Sequence, residues 1–196
     1  SLIIVGRDTV RLNETQQLCH PQAEISIITQ DVADPLFPQL VEEVLQRPLT
    51  GIVLNAGVVK MAPVAFLKRD DVDALFDINV KSNIVLMQHL LRKKKVQNNA
   101  SIVFISSIAT KKVTVGNALY SATKGALSSF AKSLALEVAQ KGIRVNTLLP
   151  GFIDTDILGR TRSAEEVSKH LSHYPLGRFG VPKDVSNLIC FSRAIF

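Results

Sequence analysis

Little in this sequence would staple, anchor or metallate it. Its 196 residues hold two cysteines, Cys19 and Cys190, without Cys-x-x-Cys spacing. A disulfide framework is therefore not expected, and both read as reduced thiols. The longest apolar runs, such as Leu2–Val5 and Ile102–Ile105, fall far short of the ~20 residues a membrane span needs. No basic stretch leads into an apolar one with a cleavage site, so a cytoplasmic setting is expected. The four histidines, His89 among them, lack metal-ligand spacing and read as surface or helix-packing residues, with no metal expected. Net charge is +6, yet no stretch interleaves arginine with aromatic residues, so nucleic acid is not an expected partner. The dense run Arg92-Lys93-Lys94-Lys95 falls at a helix C-terminus, where cations complement the macrodipole. The basic balance stays compatible with an acidic protein partner.

What is present is an ordinary balance for a folded chain, with 46% apolar and 20% charged residues. Leu2–Val5 reads as a fully buried strand ended by Gly6-Arg7-Asp8. Residues from about Thr9 to Leu18 read as a helix, with Pro21 beyond its end. Ile25–Ile28 is a second strand. Pro35 starts a helix whose Leu36, Leu40, Val41, Val44 and Leu45 share one face, and Pro48 stops it. Ile52–Leu54 is a third strand, running into Asn55-Ala56-Gly57. A long helix is expected from Asp70 to about Lys94, then a strand over Ser101–Ser107 whose lack of polar alternation marks burial on both faces. Asn117 is placed to cap a helix reaching about Gln140, Gly142 closes it, and Ile143–Leu149 is the next strand. No repeat, low-complexity tract or linker divides the chain, so one domain over 1–196 is expected. Apolar strands alternating with helices predict a doubly wound parallel α/β sheet.

Tyr120 and Lys124 stand four apart on one of these helices, so their side chains leave the same face one turn apart. A phenol with an ordinary pKa of about 10 is a poor proton donor or acceptor at neutral pH, and a neighbouring ammonium favours the phenolate. Alone, the spacing recurs by chance on solvated helix faces. It gains weight from polar residues at successive strand ends: Gly6-Arg7, Asp31, Asn55-Ala56-Gly57, Ser106-Ser107 and Pro150-Gly151. Ligands of open parallel sheets bind outside the carboxyl ends of the strands.

Taken together, Asn55-Ala56-Gly57, Asn79, Ser107, Tyr120-x-x-x-Lys124 thirteen residues on, Val145-Asn146, Pro150-Gly151 and Thr155 resemble the short-chain dehydrogenase/reductases. The matching register runs from Leu2 to about Phe191. The resemblance implies a Rossmann-type sheet and an NAD(P)-dependent oxidoreductase that reduces a carbonyl to a hydroxyl. Tyr120 would be the general acid at the carbonyl oxygen, and Ser107 would polarise that oxygen. Lys124 would bind the nicotinamide ribose and lower the phenol's pKa. Asn79 would interrupt its helix and hold a relay water, and Ser106 would be structural. The resemblance also implies cofactor contacts from Asp31 and Val32 at the adenine, and from Asn55, Ala56 and Gly57 at the adenine ribose. Pro150, Gly151, Ile153 and Thr155 would hold the carboxamide. Leu2–Val5 corresponds to the family's second strand, whose end selects the cofactor. Arg7 there suits a 2′-phosphate, favouring NADP(H) over NAD(H).

The sequence departs from the family in one place that matters. None of its ten glycines forms the phosphate-binding turn Thr-Gly-x-x-x-Gly-x-Gly. The family's first strand, that turn, the first helix and the last strand are expected to be missing. Two explanations stand: the sequence omits parts of a normal enzyme, or the protein is a natural remnant that binds no cofactor. The first predicts a gap in the sheet and an incomplete cofactor site. Gly151–Tyr174, with Ile157, Leu158, Val167 and Leu171, corresponds to the family's lid over the substrate. The stretches around Tyr120 and Pro150 are most similar to 3-oxoacyl-acyl-carrier-protein reductases, implying a small-molecule or carrier-bound carbonyl substrate. Alternatives are an alcohol, sugar, quinone or steroid dehydrogenase of the same family, or a non-catalytic scaffold. A homotetramer or homodimer, formed through the long helix and the Tyr-Lys helix, is implied. Leu127, Phe130, Leu134 and Val138 are candidates for either core or interface.

Overall fold

The computed structural model describes residues 1–155 and 174–193. The elements run β1 (Leu2–Gly6), α1 (Thr9–Gln17), β2 (Ile25–Thr29), α2 (Phe37–Val44), β3 (Leu49–Leu54), α3 (Arg69–Phe76), α4 (Ser82–Arg92), β4 (Val96–Ile105), α5 (Ala118–Val138), β5 (Arg144–Leu148) and α6 (Pro182–Arg193). Among the described residues all strand pairing is parallel. β1 pairs with β2, and β3, β4 and β5 form a second sheet in that order. Parallel sheets flanked by helices are the predicted doubly wound class.

Local chemistry sets several boundaries. Asp8 caps α1 by accepting from the backbone N–H groups of Val10 and Arg11 at 3.0 and 3.1 Å. α2 begins at Phe37, two residues after the expected Pro35, because the Asp34 carboxylate holds a turn by accepting from Leu36 N at 2.8 Å. Asn117 occupies the N-cap position of α5, but its side chain makes no capping bond. Its backbone carbonyl accepts from Ser121 N at 2.9 Å instead. Gly142, at φ 67°, ends the α5 region in the left-handed conformation, and a Cβ there would collide with the Asn99 side chain. β4 begins at Val96, five residues before the expected Ser101, and ends at Ile105.

The core lies between the three-stranded sheet and its helices. Phe104, Ile102, Met87, Leu90 and Leu127 are almost wholly excluded from solvent. Leu127, Leu134 and Val138 belong to this core, and Phe130 packs edge-on to Phe104 at 5.9 Å between ring centroids. His89 is a buried helix-packing residue, joining α4 to α2 through a 2.6 Å contact between Nε2 and Glu42 Oε2. Among the described residues, no helix is long and apolar enough to cross a membrane.

β1 departs from expectation. It is not buried on both faces: Leu2 is exposed and the other four residues are half-buried. The reason is that β1 and β3 do not pair, which is the expected gap in the sheet. Between them lies a cleft of about 720 Å³ lined by Leu2, Ile3 and Val5 on one side and by Thr50–Leu54 on the other.

Candidate active site

The expected helix from Asp70 to Lys94 is interrupted, as the family resemblance implied. Five residues, Asp77–Lys81, form a π-helical turn between α3 and α4, and Asn79 within it is fully buried. Such a turn frees backbone carbonyls from the ordinary ladder, and each needs another partner when buried. Ser82 Oγ donates to Ile78 O at 2.7 Å, and Asn83 Nδ2 donates to Asn79 O at 2.9 Å. With these partners in place, the Asn79 carboxamide projects across to the end of β3. There Oδ1 accepts from Val58 N at 2.8 Å, and Nδ2 donates to Val58 O at 2.9 Å and to Thr123 Oγ1 at 3.1 Å. Both amide hydrogens are thus used, leaving only second lone pairs on Oδ1 and on the Asn79 carbonyl for a water.

α5 carries the next part. Thr123, wholly buried, bonds back to Tyr120 O at 2.8 Å while it accepts from Asn79. Lys124, 4% exposed, donates through Nζ to Ile105 O at the end of β4, 2.9 Å away. Burial pulls its pKa down from the ordinary lysine value to about 8. Tyr120 is half-buried, with its ring centroid 5.8 Å from Lys124 Nζ. Its phenol pKa is raised, chiefly by burial, and a hydrogen bond with the Ser107 side chain partly offsets that rise. The expected lowering by Lys124 is therefore not what this geometry gives. The ammonium bonds to Ile105 O, and burial of the phenol sets the direction of its shift.

Ser107 follows β4, and its Oγ caps the short turn Ile108–Thr110 by accepting from Ala109 N at 3.1 Å. Its neighbour Ser106 is structural, as expected. Ser106 Oγ donates to Lys124 O at 2.9 Å and meets Ser128 Oγ at 2.9 Å, fastening α5 to the end of β4. Asn79, Ser107, Tyr120 and Lys124 are thereby gathered at the carboxyl ends of β3 and β4. Thr123, Ser82 and Asn83 were missed in the sequence, where nothing separates a buried hydroxyl or amide from a solvated one.

The residues expected at the cofactor are more scattered. Arg7 and Asp31 meet each other, Nη1 to Oδ2 at 3.4 Å, in an exposed pair. Asp31 also holds its own turn by accepting from Ala33 N at 2.9 Å. Val32, Asn55 and Ala56 line the cleft between β1 and β3. Gly57 lies beside Lys124 and Asn79. Pro150 O accepts from Ile108 N at 2.9 Å, which brings the start of the Pro-Gly segment against the Ser107 turn. Gly151 and Thr155 are exposed, and Ile153 bridges to Gly180. Ile157, Leu158, Val167 and Leu171 of the expected lid lie outside the described residues.

A family model described as Enoyl-(Acyl carrier protein) reductase matches residues 1–192. The chain is a short-chain dehydrogenase/reductase. It is 35% identical over 140 residues to the 3-oxoacyl-[acyl-carrier-protein] reductase FabG of Rickettsia bellii, a match covering 71% of this chain and 58% of that protein. The same enzyme of Aquifex aeolicus is 32% identical over 168 residues, covering 86% of this chain and 66% of the relative. A carbonyl reductase family member 4 of Xenopus tropicalis is 38% identical over 140 residues, again 71% and 58% of the two chains. The chain thus spans less than two thirds of the length of these relatives. Among solved structures, a short-chain dehydrogenase/reductase titled glucose/ribitol dehydrogenase, from Brucella melitensis, superposes with a TM-score of 0.87. Its identity is 26%, and the match covers 98% of this chain and 78% of that one. A short-chain dehydrogenase family protein from Francisella tularensis gives 0.84 at 25% identity, covering 98% and 79%.

Proposed function

We propose that this chain belongs to an NADPH-dependent reductase that converts the carbonyl of a 3-oxoacyl thioester, presented on an acyl carrier protein, to a hydroxyl. The observation that carries the reading is the convergence of Ser107, Tyr120, Lys124 and Asn79 at one end of the sheet. Ser107 Oγ and the Tyr120 phenol hydrogen-bond to each other and can hold one carbonyl oxygen between them. Tyr120, kept protonated by burial, delivers its proton to that oxygen as negative charge develops there.

The residues fit a nicotinamide cofactor on its ribose side. Lys124 Nζ is a buried ammonium with three donors, of which one bonds to Ile105 O, so two can serve ribose hydroxyls. When bound, the nicotinamide supplies the hydride. Arg7 would hold the 2′-phosphate. Its exposed pair with Asp31 is worth at most ~1 kcal/mol, so the guanidinium can turn to a stronger bidentate partner. Asp31, Val32, Asn55 and Ala56 would flank the adenosine half, and Pro150, Gly151, Ile153 and Thr155 the carboxamide. No residue is assigned to the pyrophosphate, because the sequence contains no glycine-rich turn for it. Assembly into a homodimer or homotetramer through α4 and α5 belongs to the same reading.

The test is a steady-state assay of the full-length protein with acetoacetyl thioesters, crotonyl thioesters, sugars and steroids, using NADPH and NADH in parallel. Reduction of acetoacetyl thioester with NADPH is expected, and Tyr120→Phe should cost about 10² to 10⁴-fold in kcat. Turnover of crotonyl thioester alone would place the chemistry at a carbon–carbon double bond. Activity unchanged in Tyr120→Phe would overturn the assignment.

A further inference from the structure

Gly57 has no conformational reason to be glycine. The glycines with positive φ among the described residues are Gly116, Gly142 and Gly177, so an ordinary L residue could adopt the backbone of Gly57. Space is another matter. A Cβ at Gly57 would stand 3.2 Å from Lys124 Nζ and 3.3 Å from Asn79 Oδ1. Each atom is held from another side: Nζ by its 2.9 Å bond to Ile105 O, and Oδ1 by its 2.8 Å bond from Val58 N. Each would have to give by a few tenths of an ångström, against the hydrogen bond that holds it.

We propose that Gly57 is a positioning residue: its missing side chain is the seat of the Lys124 ammonium, and it fixes where Nζ stands relative to Tyr120 and Ile105. A methyl group at Gly57 would place apolar surface 3.2 Å from Nζ. Tyr120, on the same helix, is the titratable group that faces Nζ; Asn79 from the π-turn and the Ile105 carbonyl from β4 are neutral. A methyl at Gly57 therefore acts on Lys124 in one direction, by further desolvation.

The experiment compares Gly57→Ala with Gly125→Ala, which adds a methyl beside Lys124 in sequence but with nothing within 4 Å of it. The first readout is titration of ¹³Cε-labelled lysine by NMR, with Lys124 assigned by its loss in Lys124→Met. Wild type and Gly125→Ala should titrate together near 8, and Gly57→Ala should titrate lower by about half a pH unit or more. An unchanged Lys124 titration in a folded Gly57→Ala protein overturns the inference. If Gly57→Ala does not fold alone, it should fold when combined with Lys124→Ala; failure in both backgrounds also overturns it. The second readout rests on the proposed reductase activity: kcat should fall about 10-fold with KM for the thioester little changed. A shifted Lys124 in a protein that reduces no carbonyl would retain the seat and reject the activity. Full reductase activity with an unshifted Lys124 would do the reverse.

Discussion

Lys124 is a cation that the fold keeps from water, and its pH behaviour follows from that. Its pKa in the folded chain, about 8, lies below the ordinary lysine value. The folded state therefore binds fewer protons than the unfolded one between those values, and stability should rise as pH climbs through that window. Function should move the opposite way in the proposed reductase, because the donors that Lys124 would offer to a ribose depend on its proton. Burial holds the Tyr120 phenol above its ordinary value, so near pH 8 it keeps its proton. We expect kcat/KM for the cofactor to fall as pH rises through about 8, since that ratio reports free-enzyme groups. A pH–rate profile of Lys124→Met that keeps the same limb would assign it elsewhere. Tyr120, Lys124, Ser107 and Asn79 were legible in the sequence because together they stand at the spacing of the short-chain dehydrogenase/reductases. The sign of the phenol's shift was not legible, because it is decided by how deeply Tyr120 sits and by which carbonyl Lys124 chooses.

Among the elements, the π-turn Asp77–Lys81 does most to build the site. It lets the chain carry a buried asparagine across to Val58 while α3 and α4 continue on either side. That a helix would break at Asn79 could be expected; that Ser82 and Asn83 would satisfy the freed carbonyls could not, since both read as ordinary helix residues. Asn83 is 3% exposed and bonds to Asn79 O at 2.9 Å. Asn83→Ala leaves a buried carbonyl without this partner and should cost ~1–3 kcal/mol, measured by urea unfolding. Asn83→Asp, with no donor at neutral pH, should not restore it. The strand boundaries show the same limit at smaller scale. Val96–Ala100 joins β4 despite Gln97, Asn98 and Asn99, because pairing with β3 begins at Leu49 and Val96, below the apolar run.

For the whole molecule, the apolar pattern was enough to predict parallel strands wrapped by helices, and the core confirms which faces are inside. Leu90 is 1% exposed between α4 and the sheet. Leu90→Ala should lose ~2–5 kcal/mol by chemical denaturation, whereas Leu136→Ala, at an 81% exposed position, should leave the monomer's stability nearly unchanged. What the pattern could not convey is how the strands divide. Val53 and Leu2 are as apolar as Ile102, yet they face the cleft rather than a neighbour, and sequence periodicity carries no information about which strand lies next to which.

That division splits the strand pairing in two, although Ile28 of β2 lies in the same buried core as Ile52 and Ile102. β3, β4 and β5, with Asn79, Ser107, Tyr120 and Lys124 at their ends, share the deeply buried core, whereas β1 and β2 share no strand pairing with them. The two groups of strands are held together by that shared core and by α2, which meets α4 through the Glu42–His89 contact. Sub-global opening should follow this seam. In native-state hydrogen exchange, the paired amides of β1 and β2 should exchange at a lower opening free energy than those of Ile102 and Val103. Uniform protection across both sheets would mean that α2 couples them into one. If the seam opens first, Arg7, expected to choose the cofactor, and Asp31, expected at the adenine, can loosen and re-form while the residues proposed for proton transfer stay in place.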